Sequence, residues 1–449
     1  MDRTGRQISE FAARASYSAL PAAAVAAAKR HLLDSLGCAI AGFHSPPASI
    51  ARKSAARVSS SQPSRLFGDG GSTSPEMAAF ANTAALRYLD FNDTYISKSG
   101  LHPSDVIPAL IALGESCSAS GAELIAAMVT AYDLLGAFCD ATDIRERGWD
   151  QGILIAIAVA AAGAKLAGGS AAQIGHAASL AAVSDVPTRQ TRVGELAMWK
   201  GCATAAAARS GVFAAQLALD GMTAPAAAFD GYHGLAEQVT GPLGLVLPQV
   251  PGATIGATCL KFHPSEYHSQ ASLDLLAGLR GKVNGLEIES IRIGSYWVVI
   301  DEISEPAKWN PTSRETADHS LPFLAATMLL HGDVWTDSYS FERLRDPTLL
   351  SLMSRTTVEE RAHLTAAYPA ELLTEYEILL KNGKAIRERT TYPKGHPRNP
   401  MTSEDVARKF VRLTQPHLER DRIDAIQTSI LNLENLKVAD LVGQLVFQR

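Results

Sequence analysis

A chain of 449 residues is longer than a single hydrophobic core usually serves, so two domains are expected. Hydrophobic residues make up 47% and charged residues 19%, a balance that excludes a disordered protein. The formal net charge is −5, from 41 Lys+Arg against 46 Asp+Glu, with no basic run. That argues against nucleic acid as a partner and means that an anionic ligand needs locally placed cations.

Met1 to Ser18 carries charges throughout and lacks the apolar stretch of a signal peptide. The longest apolar run, Gly152 to Ala164, is too short to cross ~30 Å of hydrocarbon, so it reads as a buried core helix and no membrane partner is expected. The five cysteines, Cys38, Cys117, Cys139, Cys202 and Cys259, are odd in number and scattered. They point to reduced thiols in a cytoplasmic setting, without a disulfide framework, zinc spacing or iron–sulfur ligand set. Chemistry in this chain is therefore expected to run without metal or cofactor.

Up to about residue 246 the segments are Ala-rich with helical periodicity. Pro21 to Ala41 opens on proline and stops at Gly42. Further helices are predicted at about 75–90, 104–118, 121–139, 151–167, 172–184 and 199–220. Beyond Pro248 the texture changes. Leu286–Ile303 alternates apolar and polar residues and reads as strand, as do Val358–Leu364 and Leu373–Thr390. Within the last of these, Lys381-Asn382-Gly383-Lys384 is a hairpin turn signal. Helices are expected at 265–280, 318–331 and 341–355, and the tail from Ser403 to Val446 returns to helical spacing. The arrangement is mainly α: a large all-helical domain from 1–263 plus 397–449, with a smaller α+β domain at 264–396.

Three segments concentrate chemistry. In residues 86–108, Asp90, Asp93 and Thr94 stand at i, i+3 and i+4, so a helix would place them on one face. His102-Pro103-Ser104-Asp105 follows, with Ser104 suited to cap the next helix. Carboxylates, a hydroxyl and an imidazole together can remove and return protons, yet the same spacing serves a capping cluster with a solvated acidic face. In residues 189–201, Arg189, Arg192 and Lys200 lead into an apolar helix. A lysine in the first turn opposes the helix dipole and calls for an anionic partner, although it can equally snorkel to solvent or pair with Glu195. In residues 261–274, Lys261, His263, Glu266, Tyr267 and His268 crowd into eight positions. A metal held by His263, Glu266 and His268 is disfavoured, because Lys261 would repel a cation. Asp150, before the buried helix, and Asp318-His319-Ser320, before Leu321–Leu330, read most simply as helix caps.

In order and spacing, LLDSLGCAIAG (Leu32–Gly42), LDFNDTY, HPSD, RVGELAMWKG, KFHPSEYHSQ and NPMT (Asn399–Thr402) together resemble the MmgE/PrpD family across nearly the whole chain. The resemblance implies a helical domain with an α+β lid, usually a homodimer, and an active-site cleft between the two. It implies site roles for Asp90, Asp93, Thr94, His102, Lys200 and Lys261. Decarboxylase-like members carry histidines where this chain has Asp150 and Gln270, whereas Glu266-Tyr267-His268-Ser269-Gln270 is similar to the pattern of the family's dehydratases. The implied activity is metal-free dehydration of a small β-hydroxy tricarboxylate such as 2-methylcitrate or citrate. Lys200, Lys261 and Arg192 are expected to hold its carboxylates, with Gln270 and Asp150 beside them. His102, oriented by Asp90 or Asp93, and His268 are expected to move protons. The alternatives are decarboxylation of cis-aconitate, epimerisation of a related dicarboxylate, or a silent helical scaffold. The last is disfavoured because buried cations beside carboxylates are costly to keep without a use.

Overall fold

The computed structural model of the protein describes residues 1–390 and 392–448. Most of it is helical, and the buried apolar residues form two large clusters. One runs from Ile8 to Ile255 and takes in Phe410 to Leu445 from the tail. The other runs from Cys259 to Leu380.

The first cluster is built from Ala22–Gly42, Pro75–Arg87, Ile107–Ser116, Gly121–Ala141, Gly152–Leu166, Ala171–Ser184 and Trp199–Leu219. Gly152–Leu166 is apolar on all sides and packs against several of the others, Trp199–Leu219 most extensively. Its near-absence of large polar side chains is what a central helix requires. Ser120 with Glu123, and Ser170 with Gln173, form reciprocal capping boxes that set two of the starts. Gly121–Ala141 and Trp199–Leu219 are long and apolar enough to cross a membrane by composition, but both pack within this helical body.

Gly42 does not stop the first long helix; it is the last helical residue. A Cβ there would lie 2.0 Å from the carbonyl oxygen of Ala85, so glycine is required by close approach of Pro75–Arg87. The tail helix Ser403–Thr414 packs back on Ala22–Gly42, so the C-terminus rejoins the helical body.

The second cluster surrounds a four-stranded sheet. Ile288–Ser295 pairs parallel with Thr356–Glu360 on one side and antiparallel with Thr374–Leu380 on the other. Thr374–Leu380 continues into Ala385–Thr390 through the expected hairpin, where Gly383 takes φ +83°. Two predicted strands run too long. Ile288–Ser295 gives way to the helix Trp297–Ile303, and Thr356–Glu360 to the helix Ala362–Ala367. At both places the chain leaves the sheet; the first helix buries Val298, Val299 and Ile303, the second buries Leu364, and the Thr365 hydroxyl accepts from Trp297 N at 3.0 Å. Thr94 and Cys259 exchange both backbone hydrogen bonds at 2.8 Å, joining the segment after Asp90 to the approach of Lys261.

Candidate active site

The helix Pro75–Arg87 ends before the acidic segment, so Asp90, Asp93 and Thr94 do not share a helical face. Asp90 instead takes φ +47°, a left-handed conformation unusual outside glycine. The reversal separates the two aspartates. Asp93 points into the helical core, where its carboxylate accepts from Ser104 N at 2.9 Å and Tyr132 Oη at 2.7 Å, and lies 2.8 Å from His31 Nδ1. It does not reach the cavity. Ser104 caps nothing; its Oγ lies 2.8 Å from Asn92 Nδ2, from which it accepts. The backbone takes a short 3₁₀ turn, Pro103–Val106, instead.

Asp90 is the centre of the site. Its carboxylate lies 3.2 Å from Lys261 Nζ, 3.7 Å from Lys200 Nζ and 3.0 Å from Arg87 Nη1. Burial raises the Asp90 pKa, but Lys200, Lys261 and Arg87, with His319, outweigh it and hold the group well below the usual carboxylate range. Lys261 also donates to the Asp90 carbonyl at 2.8 Å, which helps hold the left-handed turn. Lys200 reaches Asp318 Oδ1 at 3.2 Å, so neither snorkelling nor Glu195 accounts for it. Both lysines are buried and outside the cavity lining, and they meet the site through Asp90.

Two imidazoles flank Asp90. His102 Nδ1 is 2.7 Å from the Asp93 carbonyl oxygen, which can only accept, so Nδ1 carries the proton. The Asp93 backbone, and neither carboxylate, therefore orients His102. Thr94 Oγ1 sits 3.1 Å from the same nitrogen. Nε2 of His102 stands 3.9 Å from Asp90 Oδ1, beyond hydrogen-bond reach, and opens on the cavity. Burial, then Arg87 and Lys261, hold the His102 pKa well below the usual range, so the ring is neutral and able to accept a proton.

His319 repeats the device. Its Nδ1 lies 2.6 Å from Asp318 Oδ1 and its Nε2 3.9 Å from Asp90 Oδ2. The carboxylate fixes the proton on Nδ1, so the 3.2 Å approach of Lys200 Nζ to that nitrogen is not a hydrogen bond. Ser320 is the helix cap expected in this segment, accepting from Phe323 N at 3.2 Å. Sequence reasoning stopped at that cap and missed Asp318 and His319; the adjacent Asp-His pair was the available signal.

The cavity is lined by Asp90, Thr94 and His102 from the helical body and by Glu266, His268, Glu302 and His319 from the sheet-bearing part. Its wall cations are arginines: Arg145, Arg189 and Arg192. Arg192 Nε holds Asp150 Oδ2 at 2.5 Å, and Asp150 also accepts from Gly152 N at 2.9 Å; Gln151, not Asp150, is the N-cap residue of the helix, and Asp150 lines the site. Arg145 and Arg189 both bind Glu302, at 2.9 and 3.0 Å. Neither Arg145 nor Glu302 carried any local signal, because their partners lie far away in sequence. Gln270 is not at the cavity. Its amide accepts from Phe262 N and His263 N and donates to His263 O, clamping the loop after Lys261. His263 is paired with Asp274 at 3.1 Å, apart from Glu266 and His268.

Fold and site thus define a helical protein with a small mixed sheet and a buried cluster of carboxyl and imidazole groups surrounded by cations. The MmgE/PrpD N-terminal domain matches residues 6–245 and the MmgE/PrpD C-terminal domain residues 263–435; the chain belongs to the MmgE/PrpD family. Among its relatives are human cis-aconitate decarboxylase, 25% identical over 93% of this chain and 89% of the relative, and 2-methylcitrate dehydratase of Cupriavidus necator, 26% identical over 83% and 81%. The 2-methylcitrate dehydratase of Escherichia coli K12 is 25% identical over 82% and 81%. These relatives are named as dehydratases and decarboxylases, which supports an enzyme of lyase type.

Proposed function

We propose that the protein is a hydro-lyase that dehydrates a small β-hydroxy tricarboxylate of the 2-methylcitrate or citrate class. His102 Nε2 takes the hydrogen alpha to a carboxylate, the electron pair forms the new double bond, and the hydroxyl on the neighbouring carbon leaves as water. The observation that carries this reading is the neutral His102 ring, pinned at Nδ1 by the Asp93 carbonyl, open at Nε2 on a cavity walled by three arginines. Arg145, Arg189 and Arg192 are assigned to the substrate carboxylates. Each well-placed donor that strengthens in the enolate-like state is worth ~3–4 kcal/mol. Lys200 and Lys261 are assigned to keeping Asp90 ionised behind the reacting atoms.

The division read from the sequence, 1–263 with 397–449 against 264–396, belongs to this proposal and is supported by the two separate cores. So does a metal-free mechanism: the carboxylates of Asp90 and Asp318 already face lysines, which oppose a further cation. Asp150, which lines the cavity, favours dehydration over decarboxylation, since it stands where decarboxylase-like members carry a histidine.

The test is incubation with 2-methylcitrate, citrate and cis-aconitate, following the absorbance of unsaturated product and released carbon dioxide. Hydration or dehydration without gas, unchanged by a chelator, is expected. Carbon dioxide release with no hydration or dehydration would overturn the hydro-lyase reading.

A further inference from the structure

His268 was the expected second proton carrier, but its ring is ill suited to donate. Burial pushes its pKa down to about 4, and its Nδ1 is engaged with Tyr296 Oη at 2.8 Å. At neutral pH it has no cationic proton to give. The group beside it is different.

Ligand-capable atoms of Glu266, His268 and Glu302 all lie within 4.8 Å of one another. Two carboxyl groups this close in a buried site do not both ionise readily. The cations decide which one does. Glu302 takes Arg145 and Arg189 and is held down to about 2, as burial is outweighed by Arg145, His268 and Arg189. Among the described residues, no lysine or arginine comes within 4.0 Å of Glu266. One Glu266 oxygen accepts from His268 N at 2.6 Å; the other lies 4.0 Å from His268 Nε2. Burial, then the charge of Glu302, push the Glu266 pKa up to about 8, with Asp90 adding to the rise and Lys261 and the His268 amide opposing it. The remaining neighbours are the Tyr267, Tyr296 and Tyr368 hydroxyls, all pushed up and therefore protonated, and Arg145. Tyr296 and Tyr368 stack at 4.8 Å, and both rings pack against His268.

We propose that Glu266 is the general acid of the site, handing its proton to the departing hydroxyl while His102 takes the α-hydrogen. The proposal rests on the dehydratase reading. The C–H bond breaks toward His102 Nε2, its electron pair becomes the second carbon–carbon bond, and the C–O bond breaks with its electrons on oxygen. The Glu266 proton completes water, leaving Glu266 ionised and His102 cationic until the two protons re-equilibrate with solvent.

The experiment compares the wild-type enzyme, Glu266→Gln and Glu302→Gln on 2-methylcitrate, measuring dehydration across pH and, in D₂O, washing of deuterium into the α-position. In E266Q, dehydration is expected to fall by ~10²-fold or more, while α-exchange stays within roughly threefold, because abstraction needs His102 alone. The wild type is expected to lose activity as pH rises through about 8, where Glu266 gives up its proton. E302Q removes the like charge and releases two arginines, so that alkaline limb is expected to move to lower pH. A folded E266Q that dehydrates within threefold of wild type, or that loses exchange along with dehydration, overturns the proposal. So does an alkaline limb unmoved in E302Q, a result that stands even if E266Q does not fold. A wild type inactive on every tricarboxylate would instead sink the dehydratase reading itself.

Discussion

Asp90 and Glu266 are both buried carboxyl groups on one cavity, and they are driven to opposite protonation states. Around Asp90 the positive groups converge: Lys200, Lys261 and Arg87 lie within 4 Å, and the carboxylate stays ionised despite its burial. Around Glu266 the positive groups are taken by a neighbour, since Arg145 and Arg189 bind Glu302. Residue type does not decide which carboxyl carries the proton; the placement of cations does. The site therefore has an anionic centre flanked by two neutral imidazoles and, on the same cavity, a carboxyl group pushed toward its protonated form. That is the division of labour the proposed elimination needs.

This contrast can be tested from its strongest consequence downward. His102→Ala removes the proposed base beside the anionic centre and is expected to lower kcat by ~10²–10⁴-fold. In the wild type, His102 must be neutral to act. Its pKa is depressed by burial and by Arg87 and Lys261, so activity is lost only as pH falls through that lowered value. The acid limb of kcat/KM is therefore expected well below 6.5, the ordinary histidine value, and a limb at or above it would contradict the neutral-base assignment.

Next in size is Lys261→Met. It leaves Asp90 with a partner missing in a buried setting, and chemical denaturation is expected to register a loss of about 3–5 kcal/mol. Adding Asp90→Asn should restore part of that stability while activity stays low, because the orphaned charge is gone but so is the centre. A single variant as stable as wild type would mean that Asp90 does not depend on this lysine.

The smallest effect separates two aspartates three positions apart. Asp93→Asn disturbs the hydrogen bonds to Ser104, Tyr132 and His31, at an expected stability cost of about 1–3 kcal/mol. Turnover of the folded variant is expected within roughly threefold of wild type, since that carboxylate does not face the cavity. A kcat loss as large as that of His102→Ala would put Asp93 back among the proton-transfer groups.

Much of this architecture was legible in the sequence because it follows from local rules. Alanine-rich periodicity marked the helices of the body, and Asn382-Gly383 marked the hairpin. The same pattern rules failed where a strand hands over to a helix, at Tyr296 and Arg361, because alternation and helical spacing look alike over a few apolar residues. In the site, Asp90, His102, Lys200 and Lys261 do come together, with Asp90 within 4 Å of the other three. What the sequence hid was orientation. A left-handed Asp90 turns Asp93 away from it, and the lysines meet the site through Asp90, outside the cavity lining. His319 was concealed by a cap at Ser320 that was itself correctly read. Arg145 and Glu302 meet only through tertiary folding, and no spacing in the chain announces such a pair.

The most direct test of the account is a structure with an unreactive tricarboxylate, such as propane-1,2,3-tricarboxylate, in the cavity. The account expects its carboxylates against Arg145, Arg189 and Arg192, with the carbon that would lose hydrogen about 3–3.5 Å from His102 Nε2. A ligand seated away from these arginines, or turned so that no such carbon approaches His102, would contradict it.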